Sequence, residues 1–259
     1  MAYARYVALG DSQTEGLGDG DERSGYRGWA DRLAARLADL NPDLCYANLA
    51  IRGKLAAEVH AEQLATGLAL EPDLATVLAG MNDLLRPRFD VAAVAGHLEA
   101  MFAALTAAGA QVGTVTFPDL GRITPLARPL LPRVRALNAA IRAAAARHGV
   151  RVVETFDVAV TTDARIWTVD RIHASPLGHE LIATSMAHAL ELPGSDDSWT
   201  RPLPPAPRPG PAQAVATEFR WIASIAWPWV GRRVRGVSSG TGRVAKRPDL
   251  RPLGPAPAE

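Results

Sequence analysis

Cysteine is almost absent from this chain. Cys45 is the only one in 259 residues, which excludes an intrachain disulfide and any dependence on an oxidising compartment. Aromatic residues reach 6%, and Lys plus Arg exceed Asp plus Glu by one, so no strong field of either sign surrounds the whole. That near neutrality hides an asymmetry. From Asp196 onward ten Lys and Arg stand against five acids, a net +5, which leaves the preceding body at −4. A body of that sign lacks the basic footprint of a nucleic-acid enzyme, and no nucleic-acid partner is expected. Uncharged apolar runs of bilayer-spanning length are missing too. The first residues, MAYARYVALGD, carry no basic segment, apolar stretch and cleavage site of a secretory signal. A cytoplasmic location is the expectation.

What is present is alternation. Strand-like apolar runs occupy Tyr6 to Leu9, Cys45 to Leu49, Leu74 to Leu78, Gln111 to Phe117 and Val150 to Thr155. Between them lie Trp29 to Leu40, Leu55 to Leu70, Val91 to Ala108 and Val134 to His148, rich in the helix formers Ala, Leu and Arg. Gly109 and Gly149 stand where helix C-caps belong, and Ser175-Pro176 reads as an N-cap and first helical residue. This predicts a three-layer α/β domain, doubly wound, with a flavodoxin-like parallel sheet of about five strands. The expected domain spans 1–193. A Pro-rich linker, 194–217, follows, then a basic, Trp-containing tail, 218–259, with disorder expected from Val237 onward.

Three of the four motifs fall at strand ends. Val7 to Gly16 reads VALGDSQTEG: the apolar run stops at Gly-Asp-Ser, where a small residue permits a sharp turn and leaves the Ser12 hydroxyl at a strand's carboxyl end. Gly53 in NLAIRG follows the second strand and Asn82 in GMND the third. Sites in open sheets of this type form outside that edge. Asp170 and His173 in DRIH precede the last helix. These four pieces, in this order, resemble the SGNH (GDSL-type) hydrolase family, named for its Ser, Gly, Asn and His. The resemblance covers about Tyr3 to Leu192. Gln13 stands where the family's Gly-Asp-Ser-Leu has Leu, which bears on the neighbouring pocket wall.

The resemblance implies a serine esterase acting on a carboxylic ester or thioester through an acyl-serine intermediate, without metal or organic cofactor. A serine hydroxyl becomes a nucleophile when a base takes its proton and a carboxylate orients that base. Ser12, His173 and Asp170 would fill these roles, with Asp11 supporting. The oxyanion donors implied are the backbone N–H groups of Ser12 and Gly53 and the side-chain amide of Asn82. Family members act on lipids, acetylated sugars and thioesters, so the motifs leave the small-molecule ester unnamed. Substrate preference is expected in the loops Leu17 to Gly28, Leu84 to Asp90 and Pro118 to Pro132.

Rival readings are weaker. The sequence GLGDG at Gly16 to Gly20 has the wrong spacing for a dinucleotide loop, and Asp19, Asp21 and Glu22 crowd it with negative charge. Arg23 interrupts any calcium-type ligand pattern in those acids, which read instead as a solvated loop. A catalytically silent SGNH-fold binding module is the alternative function. In the tail, Phe219 to Arg235 sets an apolar stripe with three tryptophans beside an Arg cluster. Pro228 would break a helix there, so packing on the body or a partner is favoured over a membrane surface.

Overall fold

The computed structural model describes residues 2–206 and 239–253. Five strands run parallel: β1 (Arg5–Gly10), β2 (Cys45–Asn48), β3 (Leu74–Leu78), β4 (Gln111–Val115) and β5 (Arg151–Val153). A sixth, β6 (Arg247–Pro252), pairs antiparallel with β2 and gives the order β5-β4-β3-β1-β2-β6. The parallel part is the flavodoxin-like 2-1-3-4-5 arrangement, whose order reverses between β1 and β3 and opens a crevice at their carboxyl ends.

Helices fill both faces. In chain order they are α1 (Ser12–Glu15), α2 (Trp29–Leu40), α3 (Ala56–Ala69), α4 (Met81–Leu84), α5 (Val91–Ala107), α6 (Leu120–Ile123), α7 (Leu131–His148) and α8 (Pro176–Ala189). Successive side chains of a strand point to opposite faces, and β1 is buried on both. Tyr6 and Ala8 join Trp29 and Leu33 of α2 and Met186 of α8 in one core. Val7 and Leu9 join Val59 of α3, Phe102 of α5 and Ile141 of α7 in the other. Ser175 caps α8 by accepting the Gly178 N–H, and Gly149 ends α7 in the left-handed conformation.

The chain's end departs from the sequence expectation. Residues 247–252, RPDLRP, are ordered as β6, and the sheet has six strands with one antiparallel edge. The segment has no apolar alternation; its partner is the open edge of β2, with Tyr46 opposite Arg251 and Asn48 opposite Arg247. Its prolines fit because an edge strand leaves part of its N–H groups without a ladder role. Inside the expected linker, Trp199 sits on a short 3₁₀ turn and is buried in the α2/α8 core. The Trp- and Arg-rich stretch 219–235 lies outside the described residues. Among the described residues no helix is long and apolar enough to cross a membrane.

Candidate active site

Strand β1 ends on Gly10 with φ +156°, where a Cβ would lie 2.5 Å from the Leu78 carbonyl oxygen. Only glycine turns there without displacing β3. The buried Gln63 amide clamps the turn, accepting from Gly10 N and donating to Gly10 O, both at 2.9 Å. Asp11 then caps α1 by accepting the Gln13 N–H, and Asn48 of β2 donates to the Thr14 carbonyl at 2.8 Å. Ser12 is thereby held as the first residue of α1, at the carboxyl edge of the sheet.

The loop before α8 meets it. His173 Nε2 lies 3.0 Å from Ser12 Oγ, and His173 Nδ1 lies 2.7 Å from Asp170 Oδ2. Because the carboxylate accepts, Nδ1 carries the proton and Nε2 is free to take one from the hydroxyl. Asp170 Oδ1 accepts from the N–H groups of Ile172 and His173 and from the Thr168 hydroxyl. Burial by itself would raise the Asp170 carboxyl, but the His173 hydrogen bond and charge and these N–H groups outweigh it and hold the group well below the ordinary carboxylate range. Arg171 takes φ +59°, a conformation that costs a non-glycine residue energy and makes the tight Asp-to-His reach. Gln13 closes the arrangement from the serine side: its Nε2 donates to the Ile172 carbonyl at 2.7 Å and its Oε1 accepts the Ala174 N–H at 3.2 Å. The departure from Gly-Asp-Ser-Leu is thus a clip that brackets His173.

Gly53 turns after β2 with φ +77°. The preceding Arg52 is buried with Glu15 of α1: its backbone N–H and its guanidinium both donate to the Glu15 carboxylate. This ties the Gly53 turn to the helix that begins with Ser12. Asn82, on α4 after β3, faces the same cleft, but its Nδ2 donates to Asp11 Oδ2 and to the Lys54 carbonyl, each at 3.0 Å. Both amide hydrogens thus point at protein acceptors, and an oxyanion would compete for one of them. Burial pushes the Asp11 carboxyl up to about 7, opposed by the Gln13 N–H, the His173 charge and the Asn82 amide. The Asp83 carboxylate accepts the Ala56 N–H at the start of α3.

A cleft of about 60 Å³ opens over Ser12, bounded by Gly53, Asn82, Leu85, Ile172, His173 and Ser239. Behind Gln13 and Met81 lies an apolar cavity of about 70 Å³, walled by Leu78, Phe117, Pro118, Ile166 and Trp199. Among the described residues no group of three or more His, Cys, Asp or Glu could hold a metal ion. Of the acids expected to form a solvated loop, Asp21 and Glu22 are exposed, although Glu22 pairs with Arg52 at 3.0 Å, while Asp19 is half-buried and pairs with Arg32 at 2.7 Å. Sequence reasoning missed Gln13 as a clip, the Glu15–Arg52 pair and Ser239. Glu15 and Arg52, one charged residue of each sign inside two of the motifs, were the available signal for the pair; Ser239 left none.

The family model for GDSL-like lipases/acylhydrolases matches residues 8–181. No curated protein sequence matches the chain. Among solved structures, TesA is 26% identical, with 72% of this chain and 98% of TesA covered at a TM-score of 0.61. A lipase/acylhydrolase from Enterococcus faecalis is 22% identical, covering 73% of this chain and 95% of its own, TM-score 0.60. A variant of Axe2, an acetyl xylan esterase from Geobacillus stearothermophilus, is 17% identical, covering 72% and 94%, TM-score 0.60. The last two share the fold.

Proposed function

The chain belongs to the GDSL-like lipase/acylhydrolase family and is an ester hydrolase of the SGNH type, and from that premise we propose that it cleaves a carboxylic ester or thioester through an acyl-serine intermediate. The observation that carries the reading is the hydrogen-bonded chain from Ser12 Oγ to His173 Nε2 and from His173 Nδ1 to Asp170. Ser12 Oγ attacks the carbonyl carbon while His173 Nε2 takes its proton, and Asp170 stabilises the imidazolium. The oxyanion gathers the N–H groups of Ser12 and Gly53 and, on exchange of one of its present bonds, the Asn82 amide. Collapse expels the alcohol or thiol, which receives the proton from His173. A water then gives its proton to the same nitrogen and attacks the acyl carbon, and collapse frees the acid as His173 returns that proton to Ser12 Oγ.

The cleft and the apolar cavity share Asp11, Gln13 and Met81 in their walls, so an acyl group leaving Ser12 has an apolar surface to lie against. Labelling with a fluorophosphonate, mapped by peptide mass, is expected to modify Ser12, and Ser12→Ala is expected to abolish turnover of acetyl, butyryl and octanoyl esters and acetylated sugars. A label elsewhere, with Ser12→Ala still active, would overturn the mechanism. A protein neither labelled nor active on any ester would be a silent binding module.

A further inference from the structure

We infer that residues 239–252 form a strap that completes the ester-binding cleft beside Gly53 and selects the size of the substrate group lodged there. The inference rests on the acyl-serine reading of Ser12. Three observations carry it.

The strap is anchored at its far end. Strand β6 zips onto β2, the strand that leads directly into Arg52-Gly53, and Arg247 Nε donates to the Tyr46 carbonyl at 2.7 Å. Ahead of β6, Lys246 Nζ donates to Asp31 at 2.5 Å and to the Tyr26 carbonyl at 2.9 Å.

Arg243 continues this line toward the nucleophile. It reaches Glu22 at 2.8 Å, Glu22 binds Arg52 at 3.0 Å, and Arg52 is buried on Glu15 of α1. Charges of alternating sign therefore connect the strap to the helix that starts with Ser12. The outer pairs are exposed and individually weak; the buried Arg52–Glu15 pair and the β6 ladder give the line its hold.

The near end touches the site itself. Gly240 is buried against the backbone just before Gly53, so closely that a Cβ would lie 2.1 Å from the Arg52 carbonyl oxygen and 3.2 Å from Ile51 Cγ2. Ser239, the preceding residue, is exposed and lines the cleft with Ser12, Gly53, Asn82 and His173. A small hydroxyl side chain thus stands where a larger one would narrow the entrance. The seat of Gly240 fixes the height of that wall, because its Cα rests directly over the Arg52 carbonyl.

The test uses the full chain and two ester series, acyl groups from acetyl to octanoyl on 4-nitrophenol and alcohols from methyl to benzyl on acetate. Ser239→Trp is expected to lower kcat/KM for the largest member of one series, relative to its smallest, by about tenfold or more, as a blocked subsite does. Gly240→Ala, which must lift the strap or push the Arg52 carbonyl, is expected to lower kcat on every ester by about tenfold or more, since displacing a donor turn by a fraction of an ångström weakens transition-state contacts. Each variant is first checked for wild-type melting and for fluorophosphonate labelling at Ser12. If the wild type is not labelled at Ser12, the mechanism fails. If it is labelled, yet Ser239→Trp keeps both size ratios within about twofold of wild type, the strap inference alone is overturned; should Ser239→Trp not fold, an unchanged kcat in Gly240→Ala overturns it.

Discussion

Replacing Gln13 by Met keeps the length and approximate volume of the side chain and removes both hydrogen bonds that bracket His173. The two lost partners are not equivalent. Ala174 is 1% exposed, so its N–H, now without the Gln13 oxygen, has no water to turn to, and stranding a buried donor costs about 1–3 kcal/mol. Ile172 is half-buried, and its carbonyl recovers part of its bonding from solvent. The expected loss of stability is therefore about 2 kcal/mol. Asp170 still grips the loop through the Ile172 and His173 N–H groups, so His173 shifts without unfolding. A misplacement approaching 1 Å costs about 10²-fold, and a fall in kcat of about 10- to 100-fold is expected, with KM changed much less. Denaturant titration gives the stability, and initial rates on 4-nitrophenyl butyrate, well below the melting temperature, give the kinetics. A Gln13→Met protein that loses stability but keeps kcat within about twofold would refute the positioning role. One that keeps both would mean the two bonds are idle.

Two further outcomes follow from the site's geometry and burial. Asn82→Ala is expected to lower kcat by about 10²- to 10³-fold with little change in KM, as loss of one oxyanion donor does; near-normal turnover in a folded variant would leave Asn82 only as the tether between Asp11 and Lys54. His179 is fully buried, accepts the Trp29 N–H and donates to the Leu17 carbonyl, and burial pulls its pKa down to about 4. The folded state thus excludes a proton that the unfolded chain binds near 6.5, so the contribution is complete above pH 6.5 and is lost as pH falls toward 4, by about 3 kcal/mol. The stability difference between wild type and His179→Gln, in which other titrating groups such as Asp11 cancel, should therefore shrink over that window. Parallel profiles between pH 4 and 7 would contradict it.

Much of the scaffold was legible in the residues themselves. Helix α2 begins and ends where its apolar periodicity does, at Trp29 and Leu40, and the five parallel strands lie within a few residues of their apolar runs. These elements are set by local spacing, which a single chain displays openly. The four motifs were equally visible, because each is a short string, and the positions of the first three at strand ends followed from the alternation. The family match over residues 8–181 spans all four.

What the strings could not contain is the set of partners that the fold supplies. Gln13 clips Ile172 and Ala174 across some 160 residues, Glu15 meets Arg52 across 37, and Arg243 comes back to Glu22 across 221. Asn82, implied by the resemblance as an oxyanion donor, has both amide hydrogens aimed at Asp11 and Lys54. Strand β6 was invisible because RPDLRP has neither apolar alternation nor β-branched residues; it is a strand because β2 offers an unpaired edge. The sequence by itself determined the five parallel strands and the long helices, and it marked Ser12, Asp170 and His173 as candidates, since all of these are written in local order. Only the tertiary structure decided how those side chains are held and where the cleft ends, since hydrogen bonds, ion pairs and ladders form between atoms that are close in space, whatever their distance along the chain.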